Sequence, residues 1–229
     1  MPTLPFRPTT HGFPFPNWYP PGSPVVEVPT PFGRLKIGDA NGGLCGGMVF
    51  AALDLYLFGS PRPVEATPPV YKYFCKRLLE SWNLPFGVLK YYDWQRRAGA
   101  SKIVAGVRVL AGVTRLTADE WPRIQAMIDS GVPAALGLVN ASSYSPRQLV
   151  RNHQVLAYGY DWNEATGELV LKVYDPNYPN DDAAELRVNL AEPDREELVT
   201  HGCEGKTVRG FFLTEYRRPV DAPALLVSG

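Results

Sequence analysis

A glycine-rich turn that leads into an apolar segment is the feature of this chain that most constrains its fold. The segment runs from Gly46 to Phe58 and is apolar on nearly every side of a helix. A helix without a polar face has to be covered by other elements all round. The sequence therefore predicts a buried central helix, and Pro61 closes it because proline cannot continue the helical hydrogen bonds.

The rest of the chain changes character near residue 131, from helical to strand-like patterns. Apolar spacing predicts one helix over residues 69–82 and a short one near residues 91–97. Thr117 and Glu120 form a capping-box pattern, which predicts a third helix that begins there. Helices followed by strands indicate an α+β fold, with helices packed on an antiparallel sheet. The strand-like segments are residues 132–139, 154–160, 169–174, 184–190 and 208–216.

The length of 229 residues is compatible with a single large domain preceded by an arm. Residues 1–34 are rich in proline and aromatic side chains, which argues against both a regular helix and free disorder. We expect an extended arm on the domain surface that buries Phe15 and Trp18, and a mobile tail is the alternative. The single domain is predicted over residues 35–229, with a helical half (35–131) and a β-rich half (132–229).

Composition excludes several classes of function. The 23 basic and 23 acidic residues balance, so no overall charge favours nucleic acid or an anionic membrane as a partner. No apolar stretch approaches the roughly 20 residues of a membrane span, and the N-terminus does not resemble a signal peptide. We therefore expect a soluble cytoplasmic protein, and the sequence leaves its oligomeric state open.

The cysteines indicate neither a disulfide framework nor a metal site. There are three of them, Cys45, Cys75 and Cys203, and their spacing does not fit paired metal ligands. Whether Cys75 and Cys203 pair stays open. The glycines around Cys45 lack the Gly-Lys-Ser/Thr ending of a phosphate-binding loop, so no nucleotide is indicated. We expect no cofactor and no metal.

Cys45 is a candidate nucleophile because it stands where the glycine turn meets the apolar helix. Peptide dipoles at a helix N-terminus favour a thiolate over a thiol. His153 begins one strand-like segment, and Asp175 ends the next after a turn near Thr166, so an antiparallel return would bring the two together. Such a trio could act as nucleophile, base and orienting group.

Each member of the trio also has a simpler explanation. Cys45 and His153 could be buried residues of the core, and Asp175 could only start the turn at Pro176. Asn177 is a rival to Asp175 as the residue that orients the imidazole.

Three motifs in this order resemble the papain-like cysteine peptidases, nearest the branch that processes bacteriocin precursors with double-glycine leaders. They are Gly43-Leu44-Cys45-Gly46-Gly47, the run His153-Gln154-Val155 into Gly159-Tyr160-Asp161, and Tyr174-Asp175-Pro176. The resemblance covers roughly residues 36–180. It implies a papain-like fold, with Cys45 as the nucleophile, His153 as the base that later protonates the leaving group, and Asp175 as the orienting residue.

The oxyanion position departs from the family pattern. The family usually has a glutamine six residues before the cysteine, and this chain has Asp39 there. An ionised carboxylate would repel a developing oxyanion, so we expect the amide of Asn41 to serve with the Cys45 backbone N–H.

The sequence thus predicts a thiol hydrolase that acts on a peptide or isopeptide bond of a peptide or protein substrate. The reaction would pass through an acyl-enzyme thioester on Cys45. A transamidase, in which an amine takes the acyl group, is a close variant. A catalytically inactive binding module is the alternative that Asp39 motivates.

Overall fold

A seven-stranded antiparallel sheet forms the centre of the molecule, with helices on both faces. The computed structural model describes residues 2–30, 33–40, 43–203 and 205–223. From one edge of the sheet to the other, the strands are Lys206–Val208, Val199–His201, Glu185–Asn189, Glu168–Tyr174, His153–Asn163, Ala134–Val139 and Gly210–Leu213. The predicted α+β class is therefore confirmed.

The helical elements lie mostly in the first half of the chain, and one 3₁₀ helix spans Pro146–Arg151. The α-helices are α1 (Pro8–His11), α2 (Cys45–Phe58), α3 (Pro68–Ser81), α4 (Phe86–Arg96) and α5 (Val113–Asp129). Two hairpins lie outside the large sheet, β1 (Pro24–Thr30) with β2 (Gly33–Asp39), and β3 (Lys102–Val104) with β4 (Val107–Leu110). The large sheet comprises β5 (Ala134–Val139), β6 (His153–Asn163), β7 (Glu168–Tyr174), β8 (Glu185–Asn189), β9 (Val199–His201), β10 (Lys206–Val208) and β11 (Gly210–Leu213).

Helix α2 is the buried central helix that the sequence predicts. All residues from Gly46 to Leu55 are buried, and the helix packs between α3 and β6. Gly47 is required by this packing, because a Cβ there would overlap the backbone carbonyl of Phe74 in α3. The helix ends at Gly59, whose φ of 61° is left-handed and suits glycine.

The two faces of β6 belong to two different cores. Leu156 and Tyr158 pack with α2 and α3, whereas Val155 and Ala157 pack with α5. This alternation is the period-two pattern of a strand that is covered on both sides. Helices on both faces of β6 therefore fix its register, and with it the position of His153 at its start.

The predicted capping box at Thr117 is wrong, because α5 already begins at Val113. Thr117 lies inside the helix and is buried, and its hydroxyl accepts a hydrogen bond from the Phe211 N–H at 3.3 Å. Glu120 similarly accepts the Leu213 N–H at 3.1 Å. The two polar side chains thus hold β11 against the helix instead of capping its end.

The arm lies against the domain, but the aromatic side chains that anchor it differ from those predicted. Trp18 is 67% exposed, so its predicted burial is wrong, whereas Phe15 is partly buried against the core. Phe6 and Phe13 are fully buried instead.

Backbone hydrogen bonds join the start of the arm to β6. The Leu4 N–H donates to the Tyr158 carbonyl at 2.9 Å, and the Tyr160 N–H donates to the Pro2 carbonyl at 3.1 Å. Further along, β1 pairs with β2 in a hairpin, so the predicted arm boundary at residue 34 falls inside β2. Within the ranges described above, none of the helices combines the length and apolarity needed to cross a bilayer.

A buried ion pair joins α2 to α3. Arg77 Nε lies 2.9 Å from Asp54 Oδ2, and both side chains are almost fully buried. The hydroxyl groups of Tyr73 and Tyr216 also donate to the Asp54 carboxylate, at 2.7 and 2.6 Å. The Asp54 charge is therefore balanced only while the Arg77 guanidinium remains in place.

We expect the Arg77→Met substitution to lower the free energy of unfolding by about 3–5 kcal/mol, because it leaves the Asp54 carboxylate buried without its cation. Urea unfolding at neutral pH measures the loss. The matched control is Arg195→Met, which breaks an exposed pair with Glu192 and should cost less than about 1 kcal/mol. Equal losses in the two variants would contradict the importance of the buried pair.

Candidate active site

The candidate nucleophile stands at the first residue of α2, as the sequence predicts. Cys45 begins the helix, and its side chain is partly exposed. Gly43, two residues earlier, has a φ of 87°, which favours glycine, and a Cβ there would collide with the Asn17 side chain. The turn therefore requires glycine at residue 43, both for its backbone conformation and to leave room for the Asn17 side chain.

The hairpin of β6 and β7 brings His153 and Asp175 together. His153 is the first residue of β6, Asp175 directly follows β7, and Leu156 pairs with Tyr174 in antiparallel register. His153 Nε2 lies 2.7 Å from Asp175 Oδ1. The antiparallel return inferred from the sequence thus places the two side chains in hydrogen-bond contact.

Cys45 lies beside the His153 ring, in the wall of the same cavity, and acts on the pKa of that ring. Because Nε2 is occupied by Asp175, Nδ1 is the ring nitrogen left for the thiol. Burial alone would lower the pKa of His153. The charges of Asp175 and Cys45 and hydrogen bonds to both outweigh burial and raise that pKa well above its ordinary value. The site therefore favours an imidazolium next to the sulfur.

Asp175 is a buried carboxylate that remains ionised. Burial alone would raise its pKa, but the charge of His153 and hydrogen bonds from His153, His201 and the Asn177 backbone hold the pKa well below its usual range. The Asn177 N–H donates to Oδ1 at 2.8 Å. Asn177, the rival orienting residue, thus supports the carboxylate while Asp175 takes the direct contact with Nε2.

His201 is a site residue that sequence reasoning missed. Its Nε2 lies 2.9 Å from Asp175 Oδ2, and the side chain is buried at the end of β9. Its Nδ1 accepts the Cys203 N–H at 3.3 Å, so Nε2 is the nitrogen that carries the proton toward Asp175. The local sequence gave no signal for this contact, because a histidine followed by Gly202 resembles a loop residue.

The predicted oxyanion donor Asn41 lies outside the described residues. Asp39, at the position of the family glutamine, is exposed and accepts a hydrogen bond from the Gly22 N–H through both carboxylate oxygens, at 3.2 and 3.1 Å. The first hydrogen bond of the helix runs from the Met48 N–H to the Leu44 carbonyl at 2.9 Å. The N–H groups before Met48, including that of Cys45, therefore have no acceptor within α2.

Two cavities flank the His153 ring. One has a volume of about 410 Å³ and is mainly apolar, and Cys45 and His153 form part of its wall. Its apolar lining includes Leu78, Trp82, Val88, Leu149 and Val150. The other has a volume of about 280 Å³ and is polar, with Asp175, Asn177, His201, Arg151 and Lys206 among its lining residues.

Among the residues that the structure describes, no group of three or more His, Cys, Asp or Glu side chains could hold a metal ion. No disulfide bond joins Cys75 and Cys203.

We expect His201→Leu to raise the pKa of Asp175, because the substitution removes a hydrogen-bond donor that stabilises the ionised carboxylate at Oδ2. A carbon-13 NMR titration of the Asp175 carboxyl group measures the shift. The free energy of unfolding should also fall by about 1–3 kcal/mol, the cost of an unsatisfied buried acceptor. His201→Gln keeps a side-chain N–H and is the matched control, with a smaller shift. An unchanged titration in His201→Leu would contradict this role.

Comparisons with known proteins identify no relative of this chain. No protein-family model, no curated protein and no solved structure matches this chain. The arrangement of Cys45, His153 and Asp175 is therefore the feature that points to a function.

Proposed function

We propose that the protein is a thiol hydrolase that cleaves a peptide or isopeptide bond, with a papain-like arrangement of its two halves. The observation that carries the proposal is that Cys45 and His153 line the same cavity, with His153 Nε2 held 2.7 Å from Asp175 Oδ1. The thiol belongs to a helix N-terminus and the other two groups to the sheet, so the reacting atoms lie in the cleft between the halves. This is the geometry that activates a cysteine nucleophile.

In the proposed reaction the Cys45 thiolate attacks the substrate carbonyl carbon, and the carbonyl oxygen takes up the electron pair. The Cys45 N–H at the positive end of α2 stabilises that oxyanion, together with the amide that we assign to Asn41. The His153 imidazolium then gives its proton to the leaving amine, and the C–N bond breaks to leave a thioester on Cys45.

Water completes the cycle. His153, now neutral, takes a proton from the attacking water, and the carbon–sulfur bond breaks to release the acid and the Cys45 thiolate. Asp175 keeps its charge throughout, and its contact with Nε2 fixes the orientation of the ring. A transamidase would follow the same first half-reaction, with an amine in place of the water.

The cavity beside the nucleophile supports a polypeptide substrate. Its apolar wall suits an apolar side chain, and Gln154 lies at the same wall. Gln154 Nε2 donates to the Ser81 hydroxyl at 3.3 Å, whereas the buried Oε1 has no hydrogen-bond partner among the described residues. The Gln154 amide thus adds a polar group to the mainly apolar wall.

Asp39 favours a second candidate, an inactive binding module that keeps the arrangement of the site. A carboxylate cannot donate to an oxyanion, and this one instead accepts the Gly22 N–H. Removal of one oxyanion donor costs on the order of 10²–10³ in rate. Hydrolysis of a peptide library distinguishes the two candidates, because an inactive module would keep a reactive Cys45 without cleaving any peptide.

We expect iodoacetamide to modify Cys45 about tenfold or more faster than Cys75 or Cys203 at pH 6, because the His153 imidazolium favours the thiolate. Burial raises the pKa of the Cys75 thiol, which makes Cys75 an internal control. Peptide mass spectrometry of the labelled protein measures the three rates. Cys45→Ala should abolish the fast phase and Cys75→Ala should leave it intact, whereas equally slow labelling of all three thiols would refute the hydrolase.

We expect the stability of the wild-type protein to fall more steeply in acid than that of Asp175→Asn. The pKa of Asp175 is lower in the folded state than its unfolded value of about 3.9, so its contribution is present above that pH and is lost as the pH falls. Urea unfolding between roughly pH 2 and pH 6 measures both proteins. Parallel pH dependences would show that Asp175 is not held in its charged form.

A further inference from the structure

One side chain of the arm contacts both halves of the candidate site. Asn17 Oδ1 accepts the Leu44 N–H at 2.6 Å, and Asn17 Nδ2 donates to Asn177 Oδ1 at 3.1 Å. The Asn17 backbone N–H also donates to the Pro176 carbonyl at 3.0 Å. Leu44 directly precedes the nucleophile, so Asn17 spans from the turn before α2 to the loop after β7.

The contact with Asn177 leads directly to the base and its carboxylate. The Asn177 N–H donates to Asp175 Oδ1 at 2.8 Å, and its side-chain Nδ2 lies 3.4 Å from His153 Nε2. A continuous set of polar contacts therefore joins the turn before Cys45, Asn17, Asn177 and the His153–Asp175 pair. This path does not pass through the Cys45–His153 contact. It joins the same two parts of the site, the turn before α2 and the His153–Asp175 pair.

The rest of the arm holds Asn17 in place. Phe13, four residues before Asn17, is fully buried, and so is Phe6. Gly43 allows the side chain of Asn17 to approach the turn, since a Cβ at residue 43 would overlap it. The Asn17 amide is therefore fixed from one side by the core and from the other by the turn.

We propose that Asn17 is a positioning residue that keeps Cys45 within hydrogen-bond reach of His153, so that the arm is part of the reactive unit. The inference rests on the proposed function. Cys45 and His153 lie on different elements, α2 and β6, and their separation depends on how the helix end sits against the sheet edge. Reactions of this kind are sensitive to displacements of about 1 Å, which can cost 10²-fold in rate.

The test compares Asn17→Ala with Thr9→Val, which removes the hydroxyl hydrogen bond of the arm to Asp182 at a position outside the site. The readout is the rate of Cys45 carboxymethylation by iodoacetamide as a function of pH, with thermal unfolding measured in parallel. In Asn17→Ala we expect the carboxymethylation rate at pH 6 to fall on the order of tenfold. The midpoint of the rate–pH profile should move to higher pH, because the thiolate loses its aligned imidazolium. Thr9→Val should keep the wild-type rate and midpoint.

A double-mutant cycle with Asn177→Ala tests whether Asn17 acts on the site through Asn177. If Asn17 acts through Asn177, the two substitutions together should cost little more than either one alone. Fully additive losses would overturn this route. An unchanged pH midpoint in Asn17→Ala would reduce Asn17 to a stabilising contact and overturn the inference.

The same measurements separate the inference from the function on which it rests. Slow labelling of Cys45 in the wild-type protein would contradict the proposed hydrolase function. Fast labelling in the wild type together with equally fast labelling in Asn17→Ala would contradict only the role assigned to Asn17.

Discussion

Close packing of α2 against its neighbours fixes the position of nearly everything else in the molecule. Gly46 and Gly47 have no room for a side chain, because Ser81, Gln154 and the Phe74 backbone occupy the space. The helix therefore approaches α3 and the sheet closely, and its apolar surface is fully covered. Cys45 lies one residue before this contact, so the packing that buries the helix also sets the depth of the thiol in the cleft.

The second organising element is the buried charge of Asp175. A carboxylate out of contact with water is stable only when its oxygens receive donors. Here Oδ1 receives His153 and the Asn177 N–H, and Oδ2 receives His201. Groups from β6, from the loop after β7 and from β9 therefore all contact the side chain of Asp175. The electrostatic cost of burial is offset by the same groups that orient the His153 ring.

The sequence predicts those parts of the structure that depend on local periodicity. The apolar helix and the hairpin that joins His153 to Asp175 could be inferred, because each is specified by neighbouring residues. The start of α5 could not, since Thr117 and Glu120 resemble a cap but bind strand β11, more than 90 residues away. Local patterns do not reveal whether a polar side chain bonds to its own helix or to a distant strand.

The same limit applies to the functional residues. His201 and Asn17 reach the site through pairings that span 26 and 160 residues, which no local pattern encodes. Trp18 shows the reason for the error in the arm. The chain bends at Asn17, where the Trp18 N–H donates to the Pro16 carbonyl at 2.8 Å, and the Trp18 side chain beyond this bend is largely exposed.

The route of the arm imposes an order on assembly. Residues near the N-terminus are synthesised before the groups that accept their hydrogen bonds, at Tyr158, Pro176 and Asp182. The arm therefore lacks these acceptors until most of the polypeptide has been translated. The surroundings of Cys45 are complete only after the second half of the chain has emerged.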